Sequence, residues 1–183
     1  MNFNKIVKEI LGSILSLCEF TLNNESRGVI EYEHKLLLIS ITYDFTRSFE
    51  LDVNFYFKAN NESYSLAELK EYFDKEKNRF IATQILEDDK LKAWVVEVKM
   101  FLENHLYELI KDHVVICFEL DSMRKQKTDF YNNERDERLF KEDVEKLWNN
   151  KDYVRLIKLV KNYKGNIDDI SKKKYEYAIK KVS

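Results

Sequence analysis

The chain has no proline and only three glycines, Gly12, Gly28 and Gly165, in 183 residues. Glycines this scattered exclude a glycine-rich phosphate loop, a dinucleotide-binding fingerprint and the elbow that presents a nucleophilic serine. Each of those needs several glycines close together, so that backbone can turn sharply or approach a ligand. Turns must therefore rest on Asn, Asp and Ser, and asparagines pair at 23–24, 60–61, 132–133 and 149–150. Cysteine is almost as scarce. Cys18 and Cys117 lie far apart, and there is neither a Cys-x-x-Cys nor a His-Glu-x-x-His. Free thiols in a reducing cytoplasm are expected, with no metal and no cofactor. The longest purely apolar runs, 36–39 and 114–118, fall far short of the ~20 residues that cross a bilayer, so no membrane association is expected.

What is present suits a soluble globular protein: 44% apolar and 35% charged residues, too apolar for general disorder. Charge is unevenly spread. Residues 1–150 carry 21 Lys+Arg against 29 Asp+Glu, whereas 151–183 carry 10 against 4, so an acidic body bears a basic tail. The opening MNFNKIVKEILGSILSLCEF has lysines ahead of an apolar stretch, as a signal peptide would. Glu9 interrupts it, Glu19 closes it and no small-residue cleavage site follows, so it reads as a helix of the mature protein.

The apolar residues of that opening recur every three or four positions, predicting an amphipathic helix over about 3–22. A short strand follows over 27–33. From Leu37 to Phe57 an apolar residue occupies every odd position except 47. A single strand of that length would reach ~70 Å, so the stretch must fold back as a hairpin. Opposed residues in a hairpin share a face, which requires an odd-numbered loop. Thr46-Arg47-Ser48 supplies it and pairs Phe45 with Phe49, Tyr43 with Leu51, Ile41 with Val53 and Ile39 with Phe55. A bulge or a five-residue loop is the alternative. Ser65-Leu66-Ala67-Glu68 is a capping box for a helix to about Phe73, and 79–86 is compatible with a last strand. Leu91 to Leu109 keep helical spacing. Residues 113–120 lean to helix, 125–138 read as a polar connection or an exposed helical turn, and three later segments read as a helical hairpin or bundle. The predicted fold is α+β: a small antiparallel sheet packed on helices over 1–130, then a helical extension over 131–183 with the basic tail.

Three constellations could carry function. On the even face of the hairpin Asp44 faces Glu50 and Thr42 faces Asp52, with Arg47 at the tip. Asp44, Glu50 and Asp52 form an acidic patch that could hold a divalent cation or meet a basic partner. The partner is the favoured reading, with Arg47 part of that surface, because oxygen ligands without a shaped loop bind hard cations weakly. Glu97-Val98-Lys99 is similar to the Glu-x-Lys element of PD-(D/E)-x-K nucleases, with Asp88 or Asp89 as the upstream acid and Glu9 or Glu19 as the helix glutamate. That chemistry needs a strand end, and the periodicity here is helical. Lys172, Lys173 and Lys174, with Arg155, Lys158 and Lys161, could bind RNA through phosphates. His105 falls near the packed face of its helix and reads as a core residue.

The opening helix, the hairpin ending in FELDVNFYF, the YSLAELKEYF segment, the long helix and the closing NNKDYVRLIKLVKNY resemble, in their layout, small cytosolic bacterial immunity proteins of polymorphic toxin systems. The resemblance implies a non-enzymatic protein that binds and blocks one toxin, and it supplies no catalytic residues. One protein partner is therefore expected, with a magnesium-dependent nuclease and an RNA-binding accessory protein as the alternatives; nucleic acid is the less favoured partner.

Overall fold

The computed structural model describes residues 2–74 and 84–182. It is a mixed α+β fold with two compact units, Met1–Ser122 and Met123–Ser183.

In the first unit, α1 (Phe3–Leu17) leads into five strands: β1 (Thr21–Ser26), β2 (Val29–Glu33), β3 (Leu37–Tyr43), β4 (Leu51–Phe57) and β5 (Glu62–Ser65). They form one antiparallel meander in the order β1-β2-β3-β4-β5. Then come α2 (Leu66–Phe73), α3 (Asp88–Lys111) and the first turns of α4 (His113–Asn149). The odd-numbered stripe of β3 and β4 is the core face: Leu37, Ile39, Ile41, Val53, Phe55 and Phe57 are each 1% exposed or less. Burying such a side chain stabilises the fold by ~1.5–3 kcal/mol relative to leaving it in water. Phe3 of α1 stacks on Tyr43, and Phe101 of α3 meets Phe55 edge-on, so both helices lie against this face.

The expected register holds. Tyr43 pairs with Leu51, Ile41 with Val53 and Ile39 with Phe55. The three-residue loop does not. The ladder ends at Tyr43 and Leu51, and one further bond, from the Asp44 N–H to the Glu50 carbonyl (3.1 Å), leaves residues 45–49 as a five-residue loop. A three-residue loop needs a residue with positive φ at its end, normally glycine. Here Phe49 takes that conformation (φ 54°), and Phe45 turns back over Tyr43 with ring centroids 4.6 Å apart.

The first helix stops at Leu17, five residues before the expected end. The Glu19 N–H donates to the Ser16 carbonyl and the Phe20 N–H to the Leu15 carbonyl, the paired bonds of a Schellman motif. Glu19 (φ 63°) occupies the left-handed position usually given to glycine, which hid the stop. The chain then makes β1, which was not expected. The strand expected over 27–33 is β2, with Arg27-Gly28 as the turn before it. Most of the strand expected over 79–86 lies outside the described residues. Within the described part, Ile85 donates its N–H to the Phe49 carbonyl and accepts the Tyr43 hydroxyl at 2.6 Å.

The capping box forms as expected: Ser65 Oγ accepts the Glu68 N–H, and Glu68 accepts the Ser65 N–H. Residues 113–120 are helical. Of the two readings of 125–138, the helical one holds, and it extends from a turn to an unbroken part of α4. The end of this stretch is tied into the following turn by ion pairs at i,i+4, Glu137 with Lys141 at 2.6 Å and Arg138 with Glu142 at 4.0 Å.

In the second unit the end of α4 packs with α5 (Tyr153–Asn162) and α6 (Asp169–Val182) as a small helical bundle. Phe140, Val144, Leu156, Val160 and Ala178 form its core. A second Schellman motif ends α4, with Lys151 (φ 56°) in the left-handed position, and Asp152 caps α5 by accepting the Arg155 N–H.

Candidate functional site

Because the odd residues of β3 and β4 face the helices, the even ones make the outer face, and the ladder aligns it in rows. Glu31, Ser40, Asn54 and Ser65 form one row, Glu33, Leu38, Tyr56 and Ser63 a second, and Val29, Thr42 and Asp52 a third. Thr21, Asn24 and Ser26 of β1 extend them. None of these residues is buried. The face is hydroxyl- and amide-rich and contains Glu31, Glu33 and Asp52, while none of the five strands contains a lysine or arginine. Lys58, just past β4, bonds Glu33 at 2.6 Å, and Asn54 donates to Asp52 at 2.7 Å. Glu31 stands in the middle row beside Ser40.

Of the residues singled out in the sequence, Asp52 is on this face and exposed, and Glu50 is exposed at its upper end. Asp44 is used differently. Its carboxylate turns into the loop and accepts the backbone N–H groups of Thr46 (2.8 Å), Arg47 (3.2 Å) and Ser48 (3.2 Å), as well as both hydroxyls of Thr46 and Ser48. These donors, led by the Thr46 and Ser48 amides, hold its carboxyl well below the usual carboxylate range. Asp44 thus shapes the turn, and Arg47 is exposed at its tip. Sequence reasoning missed Glu31. Its signal was available in the alternation of Val29, Glu31 and Glu33 with the apolar Ile30 and Tyr32, but its row becomes visible only once β2 is paired with β3.

The nuclease-like residues do not assemble. Glu97 and Lys99 sit on α3, Glu97 exposed and Lys99 paired with Glu103 at 3.4 Å. Among the described residues no group of three His, Cys, Asp or Glu side chains gathers where a metal ion could be held. His105 stacks on Phe73, with ring centroids 4.2 Å apart, and leans on Phe101. Its burial disfavours the imidazolium, as befits a packing residue. Cys117 is buried, with its thiol pushed up to about 11 by that burial, whereas Cys18 is only half-buried; neither is in a disulfide. No helix among the described residues is long and apolar enough to cross a membrane.

In the basic tail, Lys174 is committed within its own unit. Its ammonium pairs with the Glu145 carboxylate and lies 5.7 Å from the centre of the Trp148 ring. Lys172 pairs with Asp169 at 3.7 Å, and Lys173 is exposed.

No protein-family model matches the chain, and no curated protein or solved structure is significantly similar to it.

Proposed function

We propose that the chain is a non-enzymatic protein-binding module that docks a basic protein on the outer face of its sheet. The observation that carries the proposal is the composition of that face: five strands present carboxylates, hydroxyls and amides outward with no lysine or arginine among them. Such a surface attracts cationic side chains from a distance, offers acceptors at contact, and repels acidic competitors. Glu31, Glu50 and Asp52 are its docking acids, with Arg47 at the rim. An immunity protein that blocks one basic toxin is the kind of binder whose layout the chain resembles, and its partner's charge would fit.

The test compares the wild type with a Glu31→Lys/Glu50→Lys/Asp52→Lys variant in affinity capture from nuclease-treated lysate of the source organism, after circular dichroism has shown equal folding. The expected result is one stoichiometric basic protein held by the wild type at moderate salt and lost by the variant. Equal retention by both, or no such protein on the wild type, overturns the reading.

A further inference from the structure

The sequence places the basic tail's candidates at 172–174, where the structure pairs Lys172 with Asp169 and Lys174 with Glu145; a second positive surface lies on α5. Between Asp152 and Asp168 the chain contains four cations, Arg155, Lys158, Lys161 and Lys164, and no acid. Lys158, Lys161 and Lys164 are exposed. Leu156 and Val160 turn inward, so at 100° per residue Lys158 points directly away from the core, with Arg155 and Lys161 flanking it. Arg155 stays 79% exposed while touching its capping Asp152 at 3.5 Å.

We infer that this face of α5 binds the phosphodiester backbone of nucleic acid. Two properties favour phosphates over an acidic protein. Protein interfaces have apolar, aromatic centres depleted in lysine, whereas the outward face of α5 offers a single exposed apolar side chain, Val154, among lysines. The charge density also matches. Arg155 to Lys161 spans ~9 Å of helix, a length over which a duplex presents about five phosphate charges. The unit as a whole has 17 Lys+Arg against 11 Asp+Glu, while the first unit has 14 against 22, so a polyanion is drawn to the second unit and repelled by the first. The surface is independent of the sheet face, and the two can be tested separately.

The experiment is fluorescence anisotropy of the full chain with a short labelled DNA duplex and a labelled single-stranded RNA, titrated with salt. Three phosphate contacts, from Arg155, Lys158 and Lys161, predict a log–log salt slope of about −2.7 on the duplex, so affinity falls about 40-fold between ~50 and ~200 mM salt. Lys158→Gln and Lys161→Gln should each reduce the slope by about 0.9. Lys173→Gln and Lys180→Gln on α6 should leave it unchanged, and all variants should melt with the wild type. The inference is overturned by any of three results: no salt-dependent binding to either probe, a slope insensitive to the α5 substitutions, or equal displacement of the probe by poly-glutamate, which would mean an acidic protein.

Discussion

Removing one hydroxyl, in Tyr64→Phe, tests the account of how the edge of the sheet is tied to the helices. Tyr64 is the one buried residue of β5, its ring packed edge-on against Phe57. Its hydroxyl donates to Asp121 Oδ1 of α4 at 2.6 Å and accepts from the Asn60 amide at 2.7 Å. A 2.6 Å contact lies in the range for a hydroxyl bonded to an ionised carboxylate, and removing a hydrogen bond to a charged group costs about 1.5–3 kcal/mol. Asp121 is exposed, so on losing the hydroxyl it recovers water rather than remaining stranded. That puts the expected cost near the lower end, about 1.5–2 kcal/mol. Phenylalanine fills the same space, so no cavity contributes. Asp121→Asn should keep an acceptor while losing the charge and cost less, ~0.5–1 kcal/mol. In the double variant the second substitution should cost nearly nothing, because the contact is already gone. Urea unfolding followed by tryptophan fluorescence and circular dichroism measures all three. A Tyr64→Phe cost below ~0.5 kcal/mol, or strictly additive costs in the double variant, would refute the hydroxyl as the tie.

Two further outcomes follow from local geometry. His34 is 4% exposed, with Phe20 beside its ring and its Nδ1 accepting the Leu36 N–H. Burial, aided by Lys35 and Lys58 against Glu19, disfavours its charged form, and His105 is shifted the same way. Both folded-state values lie below the ordinary 6.5. The unfolded chain therefore takes up these protons first, and stability is complete above about pH 6.5 and falls as pH drops through the folded values. Thermal melts across that window should show the loss, and His34→Gln with His105→Gln should flatten it; an unchanged slope would count against the burial argument. Gly28 (φ +78°) forms the turn between β1 and β2, and a Cβ there would stand 2.6 Å from both the Tyr43 carbonyl oxygen and the Phe45 ring. Gly28→Ala should destabilise by about 1–3 kcal/mol through strain and the backbone clash, and a neutral result in the same unfolding assay would show that the turn can yield.

How much was legible in the sequence depended on whether an element declared itself by its buried side. The hairpin of β3 and β4 was readable to the residue pair, because eight inward residues alternate without error and period-two patterning fixes register. Helix α3 was readable for the same reason: its buried residues are the ones its spacing selects. Strand β1 was not, since all six residues of TLNNES are exposed and nothing in them alternates. The polar middle of α4 could be read only as a connection or a helical turn, having no inward stripe over 125–138 to declare a continuous helix. The missed stop of α1 has Glu19 where glycine would have announced it, whereas the stop of α4, with Lys151 in that position, was announced by the asparagine pair at 149–150. At the candidate site, the exposure of Asp52 followed from parity alone. The role of Asp44 did not, because it arises from a five-residue loop whose amides converge on one carboxylate.

The arrangement of charge on the outer face bears on whether it is more than the wet side of a sheet. Directly opposed like charges destabilise a sheet, yet no two carboxylates face each other across a ladder here. Glu31 lies beside Ser40, Asp52 beside Thr42 and Glu33 beside Leu38. The face therefore keeps its acids at little cost to folding. A face selected only for solubility would mix both signs, and lysine is the commonest guard of exposed strands against edge-to-edge pairing. This chain has 24 lysines and places none on any of the five described strands. With lysine so abundant elsewhere, its absence from these strands leaves the face acidic apart from Lys58, which pairs with Glu33 from just past β4, and the proposed docking of a cationic partner rests on that character.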